Sequence, residues 1–300
     1  MRAVVTGAGG FVGRHLVEHL GACGDDVVGL DRADGSGDIT DRAAITASIV
    51  HAEPDVVYHL AGWSDVGGSW TEPVEVLRLN AEGTLNVLLG CADAKVERVI
   101  AVSSADIYGV VREDELPLTE HAELRPVTPY AASKVAADYL SLQAWLGGGL
   151  GVVRARAFNH LGPGQSTKFV APALADRIAR NELDGRDEVP IGNLSPRRDF
   201  TDVRDVVRAY RLLAERGEPG EVYNVCSGSM IAIADLADGL IALASHPMHL
   251  TRDPALERPI DIPVLLGDNT KLRKATGWAP EITIEQTVAD LLADMRHRVG

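Results

Sequence analysis

TGAGGFVG, residues 6–13, carries glycines at 7, 10 and 13, directly after a short apolar run (3–6) and at the start of a helical pattern (11–22). In a strand–turn–helix unit each glycine has its own reason. Gly7 permits the tight turn, Gly10 lets backbone approach a pyrophosphate, and Gly13 lets the helix pack close on a sheet. Phe11 and Val12 open the helix, whose unpaired N–H groups and dipole favour an anion. The second apolar run ends in Asp31, 18 residues past Gly13, where a carboxylate can hold ribose hydroxyls. A carboxylate there disfavours a 2′-phosphate, whereas the adjacent Arg32 can accept one. The turn is therefore expected to bind NAD(H) or NADP(H), with NAD(H) favoured.

The same logic extends along the chain. Apolar runs at 3–6, 26–30, 55–60, 98–103 and 151–157 alternate with helical stretches at 11–22, 41–51, 73–94 and 129–146. Near-continuous apolar strands indicate a parallel sheet covered on both faces, and the alternation predicts right-handed βαβ units. The expected fold is α/β, a Rossmann-type doubly wound parallel sheet. After residue 160 the pattern changes. A turn cluster, GPGQ (162–165), precedes helical stretches at 169–180, 203–215, 233–244 and 284–298 and short strands near 188–191 and 221–225. Residues 1–160 are expected to hold the dinucleotide, with part of the later chain returning to that half, and 161–300 to form mainly a smaller α/β lobe for a second ligand.

Composition narrows the function. The 300 residues are 46% hydrophobic, enough to bury a large core, and carry a net charge of −14, which argues against a nucleic-acid surface. Cys23, Cys91 and Cys226 are odd in number, far apart and outside any CxxC, so neither a disulfide framework nor a metal site is expected. His246 and His249 lack a supporting carboxylate pattern and read as loop histidines. The first residues read as strand and turn rather than as a signal peptide, and no apolar run is long enough to span a membrane. A cytoplasmic protein is the expectation.

Tyr130 and Lys134, in YAASK (130–134), are one helical turn apart and share a face. A tyrosine titrates near pH 10, and a nearby ammonium is expected to bring it closer to neutrality for proton exchange. SSADIYG (103–109) follows the fourth strand, where the Ser104 hydroxyl can hydrogen-bond a substrate oxygen that gains charge. Asp106 either orients the substrate or a water, or begins the loop.

TGxxGxxG, HLAG (59–62), Asn80 with GTLNV (83–87), SSADIYG and YAASK together resemble the extended short-chain dehydrogenase/reductase family, of the epimerase/dehydratase type, over essentially the whole chain. The resemblance implies that Asp38 and Ile39 touch the adenine. It also implies that Leu60, Ala61, Gly62, Asn80 and Ser103 serve the cofactor, with Lys134 on the nicotinamide ribose. ARAFNHLGPGQ (155–165) and RRDFTDVRDVVRAY (197–210) resemble the segments that hold a nucleotide sugar, implying substrate contacts from Ser64, Ser104, Asn159, Phe169, Arg198 and Arg258. Arg198 suits a diphosphate because guanidinium is a planar bidentate donor, whereas Arg204 reads as a salt-bridged helix entry. GWSDVGGSW (62–70) departs from the family in placing Trp63 in the nicotinamide-side loop.

Dehydratases of the family carry an acid/base pair just after the hydroxyl residue. Here those positions are Ala105 and Asp106, and alanine cannot shuttle a proton. The resemblance is then nearest to the members that reduce a GDP-4-keto-6-deoxyhexose at C4 with NAD(P)H. A 4-epimerase using tightly bound NAD is the alternative. A 4,6-dehydratase or a non-catalytic nucleotide sensor fits less well. The resemblance also implies a homodimer built through a four-helix bundle.

Overall fold

The computed structural model describes residues 1–256 and 262–300. The first half runs β1 (Arg2–Thr6), α1 (Phe11–Ala22), β2 (Asp26–Leu30), α2 (Arg42–Ala52), β3 (Val56–His59), α3 (Pro73–Leu77), α4 (Gly83–Asp93), β4 (Arg98–Ser104), α5 (Pro129–Gly148) and β5 (Val152–Ala157). The second half runs β6 (Asn159–Leu161), α6 (Val170–Asp184), β7 (Glu188–Ile191), β8 (Arg197–Asp202), α7 (Val203–Arg216), β9 (Val222–Val225), β10 (Met230–Ala232) and α8 (Ile233–Ala242). It ends with β11 (His249–Arg252), β12 (Val264–Leu265), α9 (Thr270–Thr276) and α10 (Ile284–Val299).

Six parallel strands form the main sheet in the order β2-β1-β3-β4-β5-β9. The order reverses between β1 and β3, so a crevice opens outside the carboxyl ends of these strands, where doubly wound folds bind ligands. β3 (VVYH) and β5 (VVRARA) are buried along their whole length, as strands covered on both faces must be. One face packs against α1 and α7 around Leu16, Leu20, Tyr210 and Trp278, the other against α2, α4 and α5 around Ile45, Ile49 and Val87. α6, α8 and α10 enclose a separate apolar cluster that includes Leu174, Leu236 and Leu291 and backs the short strands of the second half.

Two features of the fold bear on the site. β9 lies beside β5 in the main sheet, so residues 222–225 of the later chain return to the sheet that carries the glycine turn. The stretch 73–94 is not one regular helix. Its middle, Arg78–Glu82, is a π-turn joining α3 to α4, and it points Asn80 inward. Such bulges recur at functional sites because they re-aim a side chain without breaking the helix.

Candidate active site

Gly7 has φ +72°, and a Cβ there would lie 2.9 Å from the Ala61 Cα. A Cβ at Gly13 would lie 2.1 Å from the Gly7 carbonyl oxygen. Neither position tolerates a side chain, because turn, helix and the end of β3 meet there. α1 starts at Gly10 with no side-chain cap among the described residues and no acidic residue in its first turn, leaving its N–H groups to an anion. Asp31 accepts from the N–H groups of Gly9 (2.9 Å) and Ala33 (3.0 Å), which fixes its carboxylate at the rim.

At the other end of the same edge, β4 stops at Ser104, opposite Ala157 of β5. Ser104 caps a 3₁₀ turn, Ala105–Tyr108, its Oγ accepting from the Asp106 N–H at 3.2 Å. Thr128 caps α5 by accepting from the Ala131 N–H at 3.0 Å, and Pro129 opens the helix, which sets Tyr130 in the first turn. Tyr130 is buried, with the Ser104 side chain close enough to act on its hydroxyl.

Burial raises the Tyr130 pKa above its ordinary value, the Asp106 carboxylate raises it further, and the Ser104 hydrogen bond offsets only part of this. Burial, rather than the Lys134 ammonium, decides the direction of this shift. The Lys134 Nζ instead donates to the Val102 carbonyl at 2.7 Å. Burial lowers its own pKa to about 8. The ammonium is anchored on β4, and Tyr130 is held in its acid form.

These groups share one cavity of about 660 Å³. Among the expected cofactor residues, Gly7, Gly10, Phe11, Val12, Gly13, Asp31, Arg32, Asp38, Ile39, Leu60, Ala61, Gly62 and Ser103 line it together with Ser104, Tyr130 and Lys134. Asp38 lies at the rim, its carboxylate held down in pKa by donation from the Thr40 hydroxyl and N–H. Asn80 is the exception. It is 2% exposed and lies behind the wall, because its amide is committed to the Trp63 backbone and to Ser133.

A second cavity of about 370 Å³ adjoins the first, with Asp106, Asn159, His160, Gln165 and Phe169 lining both. Arg198 lines this second space, while Ser64 lies on the first. Arg258 lies outside the described residues. Arg204 bonds Asp202 and Asp290, each at 2.7 Å, and serves the structure. Asp106 therefore sits where the two spaces meet, in the turn that follows Ser104.

Several lining residues escaped the sequence reading. Tyr210, on α7, lines the larger cavity, and the His160 ring stacks on Phe11 at 6.1 Å. Gln165 donates its amide to the His160 carbonyl (3.1 Å). AFNHLGPGQ and DVVRAY mark these stretches, but which side chains face inward depends on pairing of β6 with β8 and docking of α7, neither visible locally. Ser103 Oγ, Asn159 Oδ1, Gln165 Oε1 and Tyr210 OH are buried with no hydrogen-bond partner among the described residues, and all four belong to residues lining the larger cavity. Buried polar atoms are normally paired, so their convergence with an open helix N-terminus fits a polar dinucleotide and a hydroxyl-rich ligand.

A doubly wound sheet that presents a dinucleotide turn and a Ser/Tyr/Lys constellation on one edge defines an NAD(P)-dependent short-chain dehydrogenase/reductase of the epimerase/dehydratase type. The family described as GDP-mannose 4,6 dehydratase matches residues 35–291, and the chain belongs to it. It is 37% identical to the GDP-6-deoxy-D-mannose reductase of Pseudomonas aeruginosa, across 99% of this chain and 98% of that protein. It is 29% identical to the GDP-6-deoxy-D-talose 4-dehydrogenase of Aggregatibacter actinomycetemcomitans, across 92% of each. The solved structure of RMD from Pseudomonas aeruginosa with NADPH superposes with a TM-score of 0.90 at 35% identity, covering 99% of this chain and 100% of that one. The Thermus thermophilus UDP-glucose 4-epimerase with NAD gives 0.89 at 28% identity, with 99% of each chain covered. Among the described residues no helix is long and apolar enough to cross a membrane, and none of the three cysteines is in a disulfide.

Proposed function

We propose that this chain reduces the C4 ketone of a GDP-linked 4-keto-6-deoxyhexose to an alcohol, using NAD(P)H. The observation that carries the reading is that Ser104, Tyr130 and Lys134 line one cavity with the glycine turn, because ketone reduction needs a proton donor beside the hydride source. Ala105 supports it, since nothing at that position can move the second proton of an elimination. The similarity to a GDP-6-deoxy-D-mannose reductase over nearly the full length agrees.

The glycine turn and the N-terminus of α1 would hold the cofactor diphosphate, Asp31 the adenosine ribose and Lys134 the nicotinamide ribose. The Asp31 carboxylate supports NADH, and Arg32 beside it can take the 2′-phosphate of NADPH. When bound, the reduced nicotinamide supplies the hydride. Ser104 hydrogen-bonds the ketone oxygen, Tyr130 gives its proton to that oxygen, and the Lys134 charge stabilises the phenolate left behind. Residues 1–160 would serve the cofactor and 161–300 mainly the nucleotide sugar, with Arg198 on the diphosphate.

The test is a spectrophotometric assay with GDP-4-keto-6-deoxymannose. One NAD(P)H oxidised per sugar reduced is expected. A 4-epimerase, which needs the same three residues, would interconvert two hexoses without net oxidation of the cofactor, and that result would sink the reductase reading.

Lys134 sets the alkaline limit. Its ammonium predominates below about pH 8 and is lost above. We expect kcat/KM to fall about tenfold per pH unit beyond a pKa near 8. Lys134→Arg, whose guanidinium does not titrate there, should remove that limb from whatever activity remains.

Val74 on α3 (79% exposed) and Leu146 on α5 (72% exposed) are apolar side chains open to solvent. Side chains that open to solvent on neighbouring helices support a second copy of this chain as partner. Light scattering at micromolar concentration should give twice the chain mass, and a monomer mass would remove this part of the reading.

A further inference from the structure

His59 ends β3, is 4% exposed, and does not line either cavity described above. The donor and acceptor inventory around it fixes its tautomer. Thr84 Oγ1 lies 2.6 Å from the Asn80 carbonyl, which can only accept, so the Thr84 proton is committed there. The His59 Nε2, 3.0 Å from the same Thr84 oxygen, must then carry a hydrogen and donate. That leaves Nδ1 bare, and it accepts from the Thr6 hydroxyl at 2.8 Å. Thr6 in turn accepts from the Ala61 N–H at 3.2 Å. Every link points the same way, from Ala61 through Thr6, His59 and Thr84 to the Asn80 carbonyl.

The path continues from the side chain of Asn80 in the π-turn. Its Oδ1 accepts from the Trp63 N–H (2.7 Å), while its Nδ2 donates to the Trp63 carbonyl (3.2 Å) and to Ser133 Oγ (2.8 Å). Ser133 donates to the Tyr130 carbonyl at 2.7 Å. Gly62 makes room for this clamp, since a Cβ there would lie 2.6 Å from Asn80 Oδ1. A path of hydrogen bonds thus joins the wall formed by residues 60–63 to the first turn of α5, which carries the proton donor.

We propose that His59, held as the neutral Nε2–H tautomer between Thr6 and Thr84, is a positioning residue that sets the cofactor-side wall against the helix bearing Tyr130 and Lys134. It acts through other residues and moves no proton, since both ring nitrogens are committed. Burial, reinforced by the charge of Lys134 on α5, lowers its pKa to about 3, so the ring stays neutral throughout the working range. Misplacing a catalytic group by about 1 Å can cost about 100-fold in rate, so a rigid link between the two walls has a measurable effect.

The kinetic arm rests on the reductase reading, and the spectroscopic arm does not. In protein labelled with ¹⁵N-histidine, with His59 assigned by the signal missing from His59→Phe, two-bond ¹H–¹⁵N correlations should show a protonated Nε2 and a bare Nδ1, unchanged from about pH 5 to about pH 9. His59→Phe and Thr84→Val should each lower kcat by about 10- to 100-fold, with KM for the nucleotide sugar within about twofold of the parent. Thr84→Ser, which restores the hydroxyl, should return kcat to within about threefold, and the pH profile of each variant should keep the parental shape. Thr84→Val keeps nearly the same shape and covers the case in which His59→Phe fails to fold. An Nδ1–H tautomer, a ring that titrates in that range, or a Thr84→Val enzyme with parental kcat would overturn the proposal. A parent that fails to reduce the keto sugar would instead overturn the reductase reading and leave the tautomer result standing.

Discussion

Tyr130→Phe should lower kcat/KM for ketone reduction by about 1000-fold while leaving the affinity for NAD(P)H within about twofold. The substitution removes one oxygen. The ring keeps its buried place, the Thr128 cap and Pro129 still start α5, and the Ser133 hydrogen bond reaches the backbone of residue 130 rather than its side chain. The cavity wall is therefore preserved, and what disappears is the proton for the developing alkoxide. Ser104 cannot replace it, because a serine hydroxyl is a far weaker acid than a phenol, although it still hydrogen-bonds the oxygen. Ser104→Ala should lose about 100-fold by removing that stabilisation alone. Because the two act as a pair, the double variant should lose much less than the product of the single losses. Stopped-flow absorbance of NAD(P)H measures the step directly, and fluorescence titration gives the cofactor affinity. Undiminished turnover by Tyr130→Phe would remove the catalytic assignment of Ser104, Tyr130 and Lys134 together.

The glycine turn, the five leading strands and the Tyr130–Lys134 pair were legible in the sequence because each is a local pattern. Glycine spacing follows from sterics within a single turn, a strand buried on both faces reads as an unbroken apolar run, and a four-residue interval puts two side chains on one helical face. Residues whose role depends on a distant partner were not legible. Asn80 reads as one polar residue in a long helix, and only its fit to the Trp63 backbone explains why the helix widens into a π-turn there. β9 was found as a strand, but its place beside β5 depends on α7 crossing the sheet face. β10 and β12 span three and two residues, too short for any period to show. Lys134 was identified, yet the carbonyl that captures its ammonium is 32 residues earlier in the chain. The pKa direction of Tyr130 follows from its burial and from the Asp106 carboxylate, neither of which the YxxxK spacing shows. Arg154 and Arg156 in an otherwise apolar strand were also silent, since the carboxylate that admits them lies on α5.

That carboxylate is Asp138, one turn beyond Lys134, and Asp138→Asn should give the largest loss of stability. Its Oδ1 accepts from Arg154 Nη1 at 2.8 Å and from Arg156 Nη2 at 3.2 Å, and its Oδ2 accepts from Arg156 Nε at 3.1 Å. The three side chains are 0%, 8% and 5% exposed, so bulk solvent cannot screen the charges left behind. Breaking a buried ion pair by removing one partner costs about 3–5 kcal/mol, because the charge left behind is uncompensated. Here two guanidinium groups remain. For a domain stable by about 5–15 kcal/mol, that is a large share, and the thermal midpoint should fall by about 10 °C. Asp138→Leu with Arg154→Met and Arg156→Met should recover most of the loss, since an apolar replacement leaves no charge to solvate. The pH dependence follows from the same contacts. Burial alone would raise the Asp138 pKa, but Arg156 and Arg154 together bring it below the ordinary value. Its stabilising contribution is therefore complete above the unfolded carboxyl pKa and is lost as pH falls through the lower, folded one. Asp138→Asn should flatten that acid limb in urea titrations. The same carboxylate raises the pKa of Lys134, so in Asp138→Asn the alkaline limit of activity should move below about 8. A variant with parental stability would show that the arginines find other partners. A stability loss without a shift of the alkaline limit would show that Asp138 holds α5 on β5 but leaves the Lys134 charge unaffected.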